Sequence, residues 1–200
     1  MKSISIFILL FAISHSIHSQ EIGTNDSKLP YSMIDGYPDN FESGNIIKRM
    51  IDGLGYRYYW ATDSLRNEDL DFKPGETNRT SRETLEHLYN LSGFILNSAA
   101  NKPNIRPRPE NNDTWEEMRS KTLNNLYTAA DQFSKKSSKD IETTTLDFQR
   151  GDNSSSVSFW HLLNGPLADA LYHVGQIVSN RRASGNPLDP RVNVFMGKNR

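Results

Sequence analysis

The feature that most limits the fold of this chain is an apolar stripe with helical spacing, which begins near Asn45. Apolar side chains recur there at steps of three and four residues, and this spacing places them on one face of an α-helix. The stripe consists of Ile47, Met50, Ile51, Leu54, Tyr58, Ala61 and Leu65. A helix with one apolar face must bury that face, so the chain has to supply other elements that cover it.

Two further helices are indicated by their start signals. Thr80 and Glu83 have the spacing of a capping box and open a second helix, which runs to about Asn97. Asp113 and Glu116 repeat that spacing and open a third helix. Its inward-facing residues are Trp115, Met118, Leu126, Ala130 and Phe133.

A fourth helical region begins near Val157 and continues to about Ala183. It breaks at Pro166, because proline lacks a backbone donor and its ring clashes with the preceding turn. Residues 135–155, which precede it, are polar and irregular, with a short extended piece at Thr144–Phe148.

These elements predict an all-α fold, a four-helix bundle of the up-and-down type with long connections over residues 45–187. Residues 20–44 are polar and predict an extended N-terminal arm. Residues 188–200 predict a short C-terminal tail. Residues 1–19 have a different character and are interpreted as a signal peptide.

The beginning of the chain has the pattern of a secretory signal peptide. Lys2 gives a positive start, an apolar run extends from Ile4 to Ile13, and small and polar residues lead to a cleavage point after about Ser19. The apolar run is too short to span a bilayer, and no later segment is apolar enough to do so. We therefore expect a secreted or periplasmic protein whose mature chain has no membrane span.

Composition narrows the classes of function and of ligand. The net charge of −1 argues against nucleic acid as a partner, because such binding requires a basic face. The chain has no Cys, so imidazole, carboxylate or amide groups must hold any metal ion. Of its five His residues, two fall within the signal peptide, and His87, His161 and His173 remain.

The stretch DALYHVGQ combines a carboxylate and an imidazole on one helix face. Asp169 and His173 are four residues apart, and Gln176 follows three residues later, so all three point to the same side. We interpret that side as the apolar interior of the bundle, where an unpaired carboxylate is costly. His87 lies on the line of Leu91 in the second helix and also faces inward.

Two interpretations of these residues remain open. In the first, His87, Asp169 and His173 bind a divalent metal such as Zn²⁺, Ni²⁺, Fe²⁺ or Mn²⁺, and the three ligands leave positions for water or substrate. In the second, Asp169 and His173 form a structural ion pair and His87 is a core histidine. His161 precedes His173 by twelve residues, which places it too far along a continuous helix, although the break at Pro166 leaves its role open.

Three stretches follow one another in a specific order and spacing. They are a helix with an acidic exit loop (RYYWATDSLRNEDLDFKPG), a helix with a single His (TSRETLEHLYNLSGFI) and a helix with His-x-Gly-Gln (LLNGPLADALYHVGQIVSNRRASGNP). In this order the chain resembles the DinB-like superfamily of four-helix metalloproteins over most of residues 45–187.

In that superfamily three His residues usually bind a divalent metal, one from the second helix and two from the fourth. The resemblance implies that His87, Asp169 and His173 occupy these positions, with Asp169 departing from the usual His. A carboxylate is a competent ligand for such ions, so the departure is compatible with binding. Characterised relatives include thiol-dependent transferases and isomerases, in which the metal activates the thiol of a small cofactor.

We therefore expect a metal-dependent enzyme of the thiol transferase or hydrolase type that acts on a small-molecule substrate. The alternative is a non-catalytic helical bundle that binds a ligand or partner, and a homodimer is compatible with either. Arg181 and Arg182 are candidates for binding a substrate carboxylate or, alternatively, form a solvated helix end. Tyr58, Tyr59 and Trp60 are candidates for lining a pocket or for the core.

The signal-peptide interpretation is directly testable. We expect export to remove residues 1–19, because the short apolar run and polar end are typical of cleaved leaders. N-terminal sequencing or intact mass of protein exported by the native host measures this. An exported form that retains Met1 would contradict the prediction.

Overall fold

The computed structural model describes residues 29–200. The helices in chain order are α1 (Ser43–Thr62), α2 (Asn67–Leu70), α3 (Ser81–Ala99), α4 (Trp115–Ser134), α5 (Ser138–Thr143), α6 (Trp160–Leu162), a π-helical turn (Leu163–Leu167) and α7 (Ala168–Ala183). The predicted signal peptide and residues 20–28 of the predicted arm lie outside the described residues. Within residues 29–200, no helix combines the length and the apolar character needed to cross a bilayer.

The four long helices bury their apolar faces against one another. The helix α4 packs against both α1 and α3, while α7 packs mainly against α3 and also contacts α1. Fully or almost fully buried core residues include Ile51, Leu54, Leu85, Ile95, Leu123, Leu126, Phe133 and Ile177. The stripe that begins near Asn45 is therefore largely buried, with Met50 as an exposed member, and α3 and α7 lie side by side.

The predicted all-α class is wrong, because the chain also forms a three-stranded mixed sheet. β1 (Asn104–Arg106) pairs in parallel with β2 (Thr145–Arg150), and β2 pairs antiparallel with β3 (Asn153–Ser158). Gly151, with a positive φ of 55°, lies in the turn between β2 and β3. The sheet packs against α3, where the Ser98 hydroxyl donates to the carbonyl of Thr145 at 2.9 Å.

The strands have little sequence signal of their own. β3 reads Asn-Ser-Ser-Ser-Val-Ser, and all six residues are exposed, so no apolar alternation marks it. β1 has only three residues, which is too short for a recognisable pattern. Backbone pairing with β2 stabilises both strands, and such pairing is a long-range effect that local propensity does not predict. Val157, the expected start of the fourth helical region, consequently lies in β3.

The helix starts follow local hydrogen-bonding chemistry. Thr80 caps α3 with the predicted partner, because its hydroxyl accepts from the N–H of Glu83 at 3.1 Å and the Glu83 carboxylate accepts from the N–H of Thr80 at 2.8 Å. The α4 box is shifted by one residue from the prediction, since Thr114 and Glu117 form it. Asp113 instead accepts a salt bridge from Lys121 at 2.6 Å.

The fourth helical region is interrupted where proline was expected to break it. Gly165 leaves helical geometry at ψ −106°, and Pro166 follows it inside the π-helical turn. The regular helix α7 begins two residues later, at Ala168. The short helix α6 and the helix α7 are therefore separate elements, and the helical spacing of side chains does not continue from one to the other.

Both ends of the described chain pack on α1. The ring of Tyr31 lies where a β-carbon on Gly55 would be, so only glycine permits this close approach. The Trp60 indole donates to the carbonyl of Ser32 at 3.1 Å. The N–H of Ile34 donates to the carbonyl of Gly197 at 2.7 Å, which joins the arm to the C-terminal tail.

A buried carboxylate ties α2 to the end of α7. The side chain of Asp69 has no solvent exposure, and it accepts from the Arg66 guanidinium at 2.8 Å, the Ser184 hydroxyl at 2.6 Å and the Asn186 amide at 2.6 Å. The Arg66 guanidinium is the largest influence that holds the pKa of Asp69 well below its usual range, and it outweighs the opposing effect of burial.

We expect Asp69→Asn to lower the free energy of unfolding at pH 7 by about 1.5–3 kcal/mol, because it removes a charged hydrogen-bond acceptor. The pKa of Asp69 is lower in the folded than in the unfolded state, so its contribution is complete above about pH 4 and is lost as the pH falls. Urea unfolding of both proteins at pH 7 and pH 3 should therefore show a smaller difference at pH 3.

The exposed Asp71, in the same turn, supplies the matched control. Asp71→Asn should change the free energy of unfolding by less than about 0.5 kcal/mol, because its contact with Arg82 is solvent-exposed. Equal losses in the two variants would contradict a special role of Asp69.

Candidate metal site

The three predicted ligands meet between α3 and α7. Nε2 of His87, on α3, lies 2.9 Å from Oδ2 of Asp169, on α7. Nε2 of His173 lies 3.3 Å from Oδ1 of the same carboxylate. One potential ligand atom from each residue falls within 4.8 Å of the others. Two nitrogens and one oxygen therefore converge on a single point, as an ion of the Zn²⁺, Ni²⁺, Fe²⁺ or Mn²⁺ class requires.

Helix geometry places these side chains. Asp169 and His173 are one turn apart on α7, so both project to the same side without distortion of the helix. The neighbouring turns of α7 bury Ala170, Val174 and Ile177 in the core, which fixes the rotation of the helix about its axis. His87 faces them from the middle of α3.

A hydrogen bond near the far end of α7 fixes how the two helices align. The buried Asn180 amide donates to the hydroxyl of Ser81, the first residue of α3, at 3.2 Å. Two fixed points along the interface, this bond and the His87–Asp169 contact, prevent either helix from sliding along the other. The positions of the three ligands thus follow from packing, not from the ligands alone.

The imidazole of His173 is oriented by Gln176. Nδ1 of His173 lies 2.7 Å from Oε1 of Gln176, and because this amide oxygen can only accept a hydrogen bond, Nδ1–H is the donor. In a neutral imidazole Nε2 then carries a lone pair, and that lone pair faces the Asp169 carboxylate. A metal ion between these two electron-rich groups would be attracted by both.

The surroundings of Asp169 differ from the prediction. Its side chain is 41% exposed and that of His87 is 31% exposed, whereas that of His173 is only 11% exposed. The carboxylate therefore lies at a solvent-accessible cavity and not in the apolar interior, so burial imposes no large cost on it. An ion pair this accessible contributes little to stability, which weakens a purely structural role for the pair.

The cavity beside the three ligands has a volume of about 1060 Å³. The loop before α3 forms its outer wall with Thr77, Asn78 and Arg79, and α7 contributes Ser179 and Asn180. Sequence reasoning missed these residues. Two sequence signals pointed to them. The loop residues directly precede the Thr80 cap of α3, and Asn180 lies seven residues, or about two helical turns, after His173 and so on the same face of α7.

Other candidates from the sequence lie elsewhere. His161 is exposed on α6 and lies outside the group of ligand atoms. Arg181 is buried, and its guanidinium donates to the carbonyls of Trp60, Ala61 and Asn186, which makes it a structural link between α7 and α1. Burial lowers the pKa of Arg181 from its ordinary value.

The remaining candidates divide between core and surface. Arg182 is exposed and, together with Trp60, lines a groove between α1 and α7 that borders the metal cavity at Gly175 and Ser179. Tyr58 is fully buried between α1 and α4, where burial raises its pKa to about 12. Tyr59 packs edge-on against Trp60, with ring centroids 5.1 Å apart.

Comparison with known proteins gives no relative. No protein-family model matches the chain, and no curated protein or solved structure matches it significantly. Membership in the DinB-like superfamily therefore stays a prediction, which depends on the three quoted stretches alone.

Proposed function

We propose that this protein binds one divalent metal ion between α3 and α7 and acts as a metal-dependent enzyme on a small-molecule substrate. The observation that supports this is the convergence of His87, Asp169 and His173, with ligand atoms within 4.8 Å, on the wall of a large polar cavity. The donor set of two imidazoles and a carboxylate suits Zn²⁺, Ni²⁺, Fe²⁺ or Mn²⁺.

The chemistry follows from an incomplete ligand set. When bound, a divalent ion lowers the pKa of a coordinated water or thiol and polarises a substrate oxygen. The chain's part is to hold the ligand atoms on one side only, so that the solvent-facing side stays accessible from the cavity. Gln176 keeps the proton of His173 on Nδ1, which directs Nε2 toward the ion.

The cavity also has groups that can orient a substrate. Arg79 supplies a cation at the outer wall, and Asn78 and Asn180 supply amides. The resemblance to thiol-dependent transferases supports transfer to a thiol as the reaction. Export, if the predicted signal peptide operates, favours hydrolysis instead, because low-molecular-weight thiols are less expected outside the cytoplasm.

A second candidate function is a non-catalytic helical bundle in which Asp169 links the two His side chains as a structural element. The observation that favours it is that no further carboxylate or imidazole lines the cavity within residues 29–200. An enzyme of the hydrolase type often has such a second acid or base. A measurement of bound metal distinguishes the two functions, because only the first requires an ion.

The central prediction concerns metal content. Wild-type protein should bind one divalent ion per chain, and His173→Ala should lose most of it because an imidazole ligand is removed. Asp169→Asn should weaken binding while preserving the shape, since a neutral amide replaces an anionic ligand. Asp169→His should retain the ion. Elemental analysis beside thermal unfolding, with and without chelator, measures all four proteins.

Asp189→Asn, a carboxylate in the tail bonded to Arg191, serves as the control and should leave metal content unchanged. A structural ion pair predicts a different order, in which both Asp169 variants change stability and no variant contains metal. Wild-type protein that binds no divalent ion at micromolar concentration, and whose melting ignores chelator, would refute the metal site.

Gln176→Leu provides an independent test of the ligand geometry. Loss of the carbonyl that fixes His173 should reduce metal affinity by about 10- to 100-fold, as is common for groups that orient a ligand. Competition with a chromophoric chelator measures this affinity. Ser179→Ala, in the same cavity wall but without contact to His173, should change it little, and equal effects of the two variants would contradict the orienting role.

A further inference from the structure

A second, open cavity lies beside β1, away from the metal site. It has a volume of about 520 Å³ and is lined by α3, the loop after α3, β1, the segment after β1 and one residue of α4. Within the described part of the chain, no residue lines both this cavity and the metal cavity. A ligand bound here would therefore be distinct from the substrate of the metal site.

The lining of this second cavity is cationic and apolar. Lys102 and Arg108 carry its positive charges, and among residues 29–200 no Asp or Glu lines it. Pro103, Ile105 and Pro109 supply apolar wall. A concave site with positive charge at one place and apolar surface elsewhere matches a small organic acid better than a bare ion.

The guanidinium of Arg108 is held in place before any ligand arrives. It lies over the ring of Phe94, 5.0 Å from the centroid, and donates weakly to the carbonyl of Asn90 at 3.4 Å. Phe148 packs edge-on against Phe94, with centroids 5.8 Å apart, and so fixes the ring. Arginine on an aromatic face keeps its planar fork of donors available for a carboxylate or phosphate.

Two further arginines lie on the neighbouring strands β1 and β2. Arg106 also lies 5.0 Å from the centroid of Phe94, and it is opposite Arg150 in the parallel register of β1 and β2. In the described chain none of these three arginines takes part in a salt bridge. Arg106 and Arg150 do not line the cavity, so they act on an anion there only through the positive potential that they add to this face of the molecule.

The pKa of Arg108 reflects both its burial and the nearby positive charge. Burial lowers its pKa from the ordinary value, and the charge of Arg106 lowers it further. Tyr89 and the exposed Glu86 oppose this shift but do not reverse it. Around the half-buried guanidinium of Arg108 the nearby positive charge is therefore only partly offset by Glu86.

We propose that the cavity between α3 and β1 binds a small organic anion. Its acidic group lies between Arg108 and Lys102, and its apolar body packs on Pro103, Ile105 and Pro109. Tyr89 and Asn125 also line the cavity and add a hydroxyl and an amide, and the Asn125 amide donates to the Ser92 hydroxyl at 3.0 Å. The site accepts the charge of a carboxylate or phosphate together with an adjoining hydrocarbon part.

Benzoate and its uncharged counterpart benzamide are the probes. Titration of ¹⁵N-labelled full-length protein with each, followed by amide chemical shifts, gives both affinity and location. Saturable benzoate shifts at Tyr89, Gly93 and Asn125 are expected, with benzamide binding about tenfold or more weakly because it lacks charge. Equal binding of the two probes, or benzoate shifts confined to the metal cavity, would overturn the proposal.

Two variants and a charge-matched control complete the experiment. Arg108→Gln and Lys102→Gln should each weaken benzoate binding by about tenfold, since each removes a charge-assisted contact. Lys139→Gln, exposed on α5, removes the same charge elsewhere and should leave the affinity unchanged. If Arg108→Gln fails to fold, Lys102→Gln decides. Unchanged affinity in Lys102→Gln, or an equal loss in Lys139→Gln, would refute the site.

Discussion

The packing of α3 against α7 is the contact on which the candidate site depends. One ligand, His87, comes from α3, and the other two come from α7, so their convergence requires the two helices to keep their axial alignment. Slippage by one helical turn, about 5.4 Å, would separate His87 from Asp169 altogether. The Asn180–Ser81 bond and the buried Asp69 network, which holds the chain just after α7, prevent that slippage.

The exposed carboxylate also affects which metal ion the proposed site would select. A site of two nitrogens and one oxygen without thiolate does not favour soft ions such as Cu⁺. Affinity for divalent first-row metal ions would follow their usual order at such a site. Because one side of the site is open, its geometry would discriminate little among them. The ion that occupies such a site is therefore decided largely by which ion its compartment supplies. The identity of a bound ion would thus depend both on the ligand set of the protein and on the ions that the compartment supplies.

Two of the three residues of the candidate site could be placed together from sequence because their relation depends on local periodicity. Asp169 and His173 share a helix, and four residues of spacing determine their relation wherever that helix packs. The position of His87 opposite them required a tertiary contact, which the resemblance to a known family implied and the periodicity alone did not. Long-range effects were correspondingly missed, above all the exposure of Asp169.

The errors in the fold have the same origin. The three residues of β1 and the Ser-rich β3 are stabilised by backbone pairing with β2, and no side-chain pattern indicates that pairing. The α4 cap was shifted because Asp113 and Thr114 are both competent caps, and only the observed bonds distinguish them. Arg79 and Arg108 face cavities that form only when distant segments come together, so neither could be recognised in advance.

The parallel pairing of β1 with β2 is expected to make the three-stranded sheet slow to fold. β2 and β3 form a hairpin through a local turn, whereas the whole of α4 and α5 separates β1 from β2 along the chain. Closing that long loop delays β1, and until it docks one edge of β2 has unpaired backbone donors and acceptors. A strand of only three residues thus covers Phe148–Arg150 of β2, while the polar β3 forms the opposite edge of the sheet.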